Sequence, residues 1–369
     1  MNSGRVTSLS GIIIDKIREE GPLSFRDYME MCLYYPDLGY YTSSKIKIGE
    51  SGDFYTSSSL TPAFGIMIGR QMEEMWQNMG CVPFTIVEYG AGTGLLCRDI
   101  LDHLRHNQAM YQDLRYCIIE KSQAMQATEK MHLKEKVSWY DSIADIGEIH
   151  GCILSNELLD NFAVHQVVVI KDELHEVFVD HEYDRFIEIL RPASEPLKNY
   201  MKELDLCFEE GFRTEINIQA TEWIVEVAQA LSSGYVLTID YGYPSSELYQ
   251  NYRRTGTLVC YHSHHVNTDP YINIGAQDIT SHVNFSALCH WGLHNGLSCC
   301  GLTDQAHFLT GLGLRTHLKK LTGNEYRPSD YVQEMFLKTV LLKDMGSKFK
   351  ILIQSKALPP ALLSGLKIE

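Results

Sequence analysis

No stretch of this chain approaches the roughly 18 consecutive apolar residues that a bilayer-spanning helix requires. The first ten residues hold a single Arg, and Asp15 follows Ile12-Ile13-Ile14 too soon for a secretory signal. An Arg-rich, acid-free transit pattern is missing as well, so a cytoplasmic location is the expectation. The ten cysteines contain no C-x-x-C pair, which leaves a tetrahedral zinc site without support. Cys117 and Cys152 sit in apolar runs, as reduced core thiols do. Bases are scarce: 32 Lys and Arg against 47 Asp and Glu give a net charge of −15. Such a balance argues against a face that tracks phosphates, and so against a nucleic-acid partner. Internal repeats and low-complexity segments are absent too. With 44% hydrophobic and 21% charged residues, disordered, collagen-like and coiled-coil chains are excluded. The 369 residues suit about two domains, or one enlarged by insertions.

Periodicity predicts helices over 9–20, with Ile13 and Ile17 on one face, over 25–35, where Ser24 is the N-cap and Asp27 sits in the first turn, and from Pro62 to about 79. From residue 84 the rhythm changes. Apolar strands at 84–88, 115–120, 136–140, 152–155 and 235–240 alternate with helical patterns such as 95–106 and the one opening at Ser122. Near-continuous apolar strands joined by helices predict a parallel sheet buried on both faces. A short strand at 297–300, helices at 304–312 and 328–342 and a last strand at 349–354 suit an antiparallel finish. Two stretches interrupt this order. Residues 164–180 alternate around Lys171-Asp172 as a hairpin, and 243–284 read as a long loop rich in Tyr, His and Asn.

The strongest chemical signal is Glu88-Tyr89-Gly90-Ala91-Gly92-Thr93-Gly94, directly after the first of these strands. Glycines let the chain turn tightly and approach a ligand closely. The dinucleotide fingerprint G-x-G-x-x-G needs Gly at position 95, where Leu95 stands, so a nicotinamide dehydrogenase is the runner-up by fold. The spacing E-x-G-x-G-x-G is instead that of class I S-adenosylmethionine (SAM) methyltransferases. The ammonium and sulfonium of SAM are positive, and a carboxylate beside the turn would attract them. Glu120 ends the second strand, where an acid can accept from both ribose hydroxyls. Dehydrogenases use the same device, so Glu120 alone points to an adenosine ribose and not to SAM. Asp141-Ser142 follows the third strand, either at the adenine edge or as a plain turn.

Asn156-Glu157-Leu158-Leu159-Asp160 follows the fourth strand. If that segment is helical, Glu157 and Asp160 share a face at i, i+3, next to the crevice where ligands of such sheets bind. Two acids there would hold a guanidinium and orient one nitrogen for attack; acids favoured by a helix dipole are the plainer reading. Asp240-Tyr241-Gly242 closes the fifth strand, lining the substrate side or simply turning. His262, His264, His265, His282, His290 and His294 cluster late in the chain without the spacing of a metal site, so no metal is assigned. Trp139 and Trp223 are expected to pack.

Further motifs accompany these. Tyr28-Met29, Leu33-Tyr34-x-Pro36-x-x-Gly39-Tyr40-Tyr41, Gly52-Asp53-Phe54-x-Thr56-Ser57 and Phe64-Gly65 stand in the N-terminal part. Asp99-Ile100-Leu101, Gly275-x-x-Asp278-x-Thr280-x-His282-Val283-x-Phe285 and Phe308-Leu309-x-x-Leu312-Gly313 follow. With the glycine turn, Asn156-Glu157-x-x-Asp160 and Asp240-Tyr241-Gly242, they make residues 24–356 resemble the MidA-like family of SAM-dependent methyltransferases. Ser58-Ser59 replace the family's usual Pro-Glu, Leu158-Leu159 its bulkier pair and Ala163 its Pro.

The resemblance implies an α/β, Rossmann-like class I methyltransferase fold. Its sheet would be mostly parallel and seven-stranded with a final antiparallel strand, beside an N-terminal helical extension and insertions. Residues 1–80 would form that extension with a cofactor-covering loop. Residues 81–356 would form the methyltransferase domain, with insertions at about 164–231 and 243–284, and 357–369 a tail. SAM would be held by Gly52, Asp53, Thr56, Glu88, Gly90, Gly92, Gly94, Glu120, Asp141 and Ser142, the 52–57 box folding over it as a lid. Asn156, Glu157 and Asp160 would be catalytic. Mitochondrial members of the family are complex I assembly factors that methylate an arginine. The implied acceptor is therefore a protein arginine, in a respiratory complex subunit for example, with no membrane span. A SAM-binding scaffold and a small-molecule methyltransferase are the alternatives, and the oligomeric state is open.

Overall fold

The computed structural model of the chain describes residues 8–43, 60–133, 135–321 and 335–367. These divide into two compact units. The first takes the described residues within 1–54, 159–222 and 243–287, the second those within 55–158, 223–242 and 288–369.

The second unit is built on a path of seven strands: β1 (Thr85–Tyr89), β2 (Arg115–Ile119), β3 (Val137–Tyr140), β4 (Ile149–Asn156), β5 (Leu231–Tyr243), β6 (Ser298–Asp304) and β7 (Phe349–Lys356). Their spatial order is β6-β7-β5-β4-β1-β2-β3. The pairs from β5 through β3 are parallel, and β7 runs antiparallel between β5 and β6. This is the mostly parallel sheet with a final antiparallel strand that the alternation of strands and helices predicts. Chain order reverses at β1, with β2 on one side and β4 on the other, and the carboxyl ends of those strands make the crevice of a doubly wound sheet. Ile86, Ile118, Leu154, Leu237 and Ile353 are buried in one core with residues of the flanking helices.

Helix Pro62–Asn78 packs in the same core, with Pro62 in its first turn and Thr61 accepting from the Ala63 N–H. Its Gly65 and Gly69 admit helix Leu95–Leu104. A Cβ at 65 would lie 2.5 Å from the Asp99 Cβ, and one at 69 would lie 2.7 Å from His103 Cδ2. The Phe64-Gly65 and Asp99-Ile100-Leu101 motifs thus meet as helix packing.

The first unit holds helices Leu9–Glu20 and Phe25–Tyr34, with Leu9, Ile13 and Ile17 buried on one side of the former. Ser24 caps the second helix as expected, accepting from the Asp27 N–H at 3.1 Å. Strands His165–Ile170 and Glu173–Glu182 form the hairpin around Lys171-Asp172, both with positive φ (53° and 60°), as a tight two-residue turn needs. Residues 243–284 are not simply a loop. Val259–His262, His265–Asn267 and Asp278–Thr280 make a three-stranded antiparallel sheet. Its turn, Ser263-His264, also has positive φ at both residues (48° and 60°). The reading as loop failed because these strands are three and four residues long and lack turn glycines, so alternation has nothing to register on. Among the described residues no helix is long and apolar enough to cross a membrane.

Candidate active site

In the second unit, β1 delivers the chain to the glycine turn. Gly90, Gly92 and Gly94 all have positive φ (63°, 58° and 78°), where an L side chain costs about 1–2 kcal/mol per residue. Space is short as well. A Cβ at Gly94 would lie 3.2 Å from Leu133 Cδ1 and 3.3 Å from Glu129 Cα, and one at Gly90 would lie 3.2 Å from Leu158 Cδ1. Leu158 belongs to the motif after β4, so the fold brings the first and fourth strand ends together. The turn closes on its own backbone, Gly94 N–H to the Ala91 carbonyl at 2.9 Å, and Gly94 opens helix Leu95–Leu104 without a side-chain cap.

Glu88, just before this turn, is buried beside Tyr116. Only 2% of it is exposed, and Tyr116 Oη donates to its Oε2 at 2.6 Å. Burial lifts its pKa to about 7 against the opposing Tyr116 bond. The placement suits a buried support for the turn better than the open counter-charge that sequence suggests. A pH effect follows. Unfolded, Glu88 titrates near 4.5; folded, near 7. Between those values the folded chain binds the extra proton, so stability falls as pH rises through this window and levels off above it. Glu88→Gln, which keeps an acceptor for Tyr116, is expected to flatten that slope in melting curves recorded from pH 4.5 to 8.

At the end of β2, Glu120 is partly exposed and its Oε1 accepts from the Ser122 N–H at 2.7 Å. Burial raises its pKa, while the backbone N–H groups of Ser122 and Lys121 draw it down. If Glu120 binds a ribose diol, Glu120→Gln is expected to weaken SAM binding about 10- to 100-fold, the worth of one or two hydrogen bonds to a charged group. Calorimetric titration measures this. After β3, Asp141 is exposed, and Ser142 Oγ accepts from Ala144 N–H at 3.3 Å, starting a single 3-10 turn. Gly52, Asp53 and Thr56, with the rest of their box and Ser58-Ser59, lie outside the described residues.

The motif after β4 departs from expectation. Glu157 is not helical: its φ is 53°, and the only turn is the 3-10 piece Leu159–Asn161. The helical face that Glu157 and Asp160 were to share is therefore absent. A left-handed Glu costs of order 1–3 kcal/mol and persists only where its surroundings enforce it. Here they do. Glu157 N–H donates to the Ile239 carbonyl at 2.9 Å, and Leu158 N–H to Asp240 Oδ2 at 3.2 Å. Asp240 is fully buried, so the fifth-strand motif holds this bend rather than closing a plain turn. Asn156 Nδ2 donates to Glu157 Oε1 at 3.2 Å. Asn156 Oδ1 is buried without a partner among the described residues.

Asp160 lies in the first unit, on a turn tied down by its own neighbours. Ser281 N–H donates to the Asp160 carbonyl at 2.8 Å, Asn217 Nδ2 to the Leu159 carbonyl at 3.0 Å and Tyr34 Oη to Asn161 Oδ1 at 2.7 Å. The Tyr34 and Tyr41 rings stack at 5.5 Å, and Tyr41 Oη donates to Asp278 Oδ1 at 2.9 Å. Burial raises the Tyr41 pKa, and the nearby buried acids Asp278 and Asp160 add to that rise.

Sequence reasoning missed Glu129. It sits on the polar helix Gln123–His132, where an acid reads as solvated, yet it has no exposure. Trp139 Nε1 donates to its Oε2 at 2.6 Å, so Trp139 does more than pack. Its Oε1 has no partner among the described residues, and burial lifts its pKa to about 8. No spacing rule finds such a residue, because tertiary packing of its helix against Gly94, where a Cβ would lie 3.3 Å from the Glu129 Cα, brings it to the turn. Trp223 also packs, edge-on to Tyr89 at 5.7 Å.

This crevice fits SAM: a left-handed glycine cradle, an acid ending the second strand and buried polar atoms without partners nearby. Known proteins agree. The family model described as "Putative S-adenosyl-L-methionine-dependent methyltransferase" matches residues 67–303. The chain is 27% identical to mouse (Mus musculus) protein arginine methyltransferase NDUFAF7, mitochondrial, across 94% of this chain and 84% of that protein. The human (Homo sapiens) protein of the same name is also 27% identical, covering 93% and 82%. A crystal structure of a Burkholderia thailandensis protein bound to S-adenosyl-homocysteine superposes with a TM-score of 0.85 at 28% identity, covering 96% of this chain and 94% of that one. The chain belongs to this family of S-adenosyl-L-methionine-dependent methyltransferases.

Proposed function

We propose that the methyl acceptor is an arginine side chain of a protein, with Glu157, Asp160 and Asn156 as the catalytic group. The observation that carries this reading is the left-handed Glu157 at the end of β4, held there by the Ile239 carbonyl and by Asp240, with Asn156 against its carboxylate. The relatives named protein arginine methyltransferases support it. So does the setting of Asp160, where stacked Tyr34 and Tyr41 stand with a second buried acid, Asp278, as a planar cation would require. In this proposal Gly90, Gly92 and Gly94 cradle the cofactor, Glu120 takes the ribose and Asp141-Ser142 the adenine edge.

When bound, SAM supplies an electrophilic methyl group on a sulfonium. The chain's own task is set by the acceptor. Arginine is cationic with a pKa above about 12, and delocalisation leaves its nitrogens poor nucleophiles. Glu157 and Asp160 accept hydrogen bonds from the guanidinium, localise charge away from the attacking nitrogen and take up its proton. Asn156, donating to Glu157, fixes that carboxylate's orientation. Alignment alone lowers the barrier by several kcal/mol, up to about 7–11 in well-oriented systems.

Incubation of the chain with labelled SAM and a cell extract tests the reading. Labelled methylarginine in acid hydrolysates of a protein band is expected. Label on another residue, or only in the small-molecule fraction, overturns it.

A further inference from the structure

Two thiols stand against each other at a place that methyl transfer does not use. Cys289 lies on helix Phe285–His294 and Cys299 on β6, and the Cys289 S–H donates to Cys299 Sγ at 3.6 Å. The surrounding fold holds them there. Gln354 of β7, fully buried, is the register partner of Cys299, and its Nε2 donates to the Leu288 carbonyl one residue before Cys289. Gly292 lets the helix approach, since a Cβ there would lie 2.3 Å from the Gln354 Nε2. The β6–β7 register skips Cys300, which places a bulge directly after Cys299. Cys300 packs against the core beside Ser355, whereas Cys299 is exposed.

We propose that Cys289 and Cys299 are a redox modification site, closing reversibly to a disulfide that clamps this helix to β6 at the end of the strand order. A disulfide needs its sulfurs about 2.05 Å apart, so closure takes about 1.5 Å of movement. Cys299 is the point of attack. It faces solvent, and the S–H donated by Cys289 lowers its pKa and enriches its thiolate. Cys289, the donor, is held as the thiol.

With hydrogen peroxide as oxidant, the Cys299 thiolate attacks one peroxide oxygen. The O–O bond breaks, the departing oxygen leaves as water after protonation, and Cys299 becomes a sulfenic acid. The Cys289 sulfur then attacks the Cys299 sulfur. An S–S bond forms, the S–O bond breaks, and the hydroxyl leaves as water with the Cys289 proton. Two thiols and one hydrogen peroxide become one disulfide and two waters, and a dithiol reductant reverses the oxidation.

The test treats the purified full-length chain with hydrogen peroxide, alkylates remaining thiols under denaturing conditions and maps peptides without reduction. Expected is a linked Cys289–Cys299 peptide pair, about 2 Da lighter than its two thiol halves, that disappears after dithiothreitol. Cys289→Ser should stop at a Cys299 sulfenic acid that dimedone captures. Cys299→Ser should show neither cross-link nor adduct at this site, and Cys300→Ser should cross-link like the unmodified chain. A Cys299–Cys300 link, a link to a distant cysteine, or ten alkylated thiols after peroxide overturns the proposal.

Discussion

With Glu157 as the proposed general base, replacing it with glutamine is expected to lower methyl transfer by about 100- to 10,000-fold, while SAM should bind with unchanged affinity. The reason is local. Glutamine keeps the size of the side chain and can still accept from Asn156 Nδ2, but it cannot take a proton from a guanidinium. Release of S-adenosyl-homocysteine reads the first effect, and calorimetric titration with SAM reads the second. Undiminished turnover rules out the role. Glu157→Gly separates function from strain. It relieves the left-handed φ of 53°, so its melting temperature should not fall, yet its turnover should be as low as that of Glu157→Gln. A side chain whose removal spares stability and ends activity is held for chemistry, not for the fold.

The second large effect is expected at Gly94. Gly94→Val places a β-branched residue at φ 78°, with its Cβ 3.3 Å from the Glu129 Cα and 3.2 Å from Leu133 Cδ1. Leu133 can give a few tenths of an ångström, but the Glu129 backbone sits in a helix and cannot. The turn must move, so SAM affinity should fall at least about 100-fold, equivalent to roughly 2.7 kcal/mol, together with a lower melting temperature. Gly21→Ala is the control. Gly21 also has positive φ (89°), but its missing Cβ would meet nothing within 4 Å. That variant should lose some stability and bind SAM normally. Equal loss of SAM binding in both variants would mean that the cradle at Gly94 has no special part in cofactor binding.

Particular elements show how far the chain could be read in advance. The strands at 84–88, 115–120 and 152–155 were legible because a buried parallel sheet demands unbroken apolar runs, and the glycine turn because few residues other than glycine take three left-handed positions within five. The helix that i, i+3 spacing would allow at Glu157 does not form, because the hydrogen bonds that decide the backbone come from Ile239 and Asp240, some eighty residues away. Glu129 was invisible for a related reason, its helix being polar enough to look solvated.

Local rules therefore determined the class of fold and the cofactor: an α/β sheet, its crossovers and the E-x-G-x-G-x-G turn depend on residue identity at short separation. Long-range packing decided the rest. It turned Glu88 inward to Tyr116, bent the chain left-handed at Glu157 and set Cys289 against Cys299. Burial and distant hydrogen bonds set the protonation and direction of a side chain, and neither has a period that a linear pattern can carry.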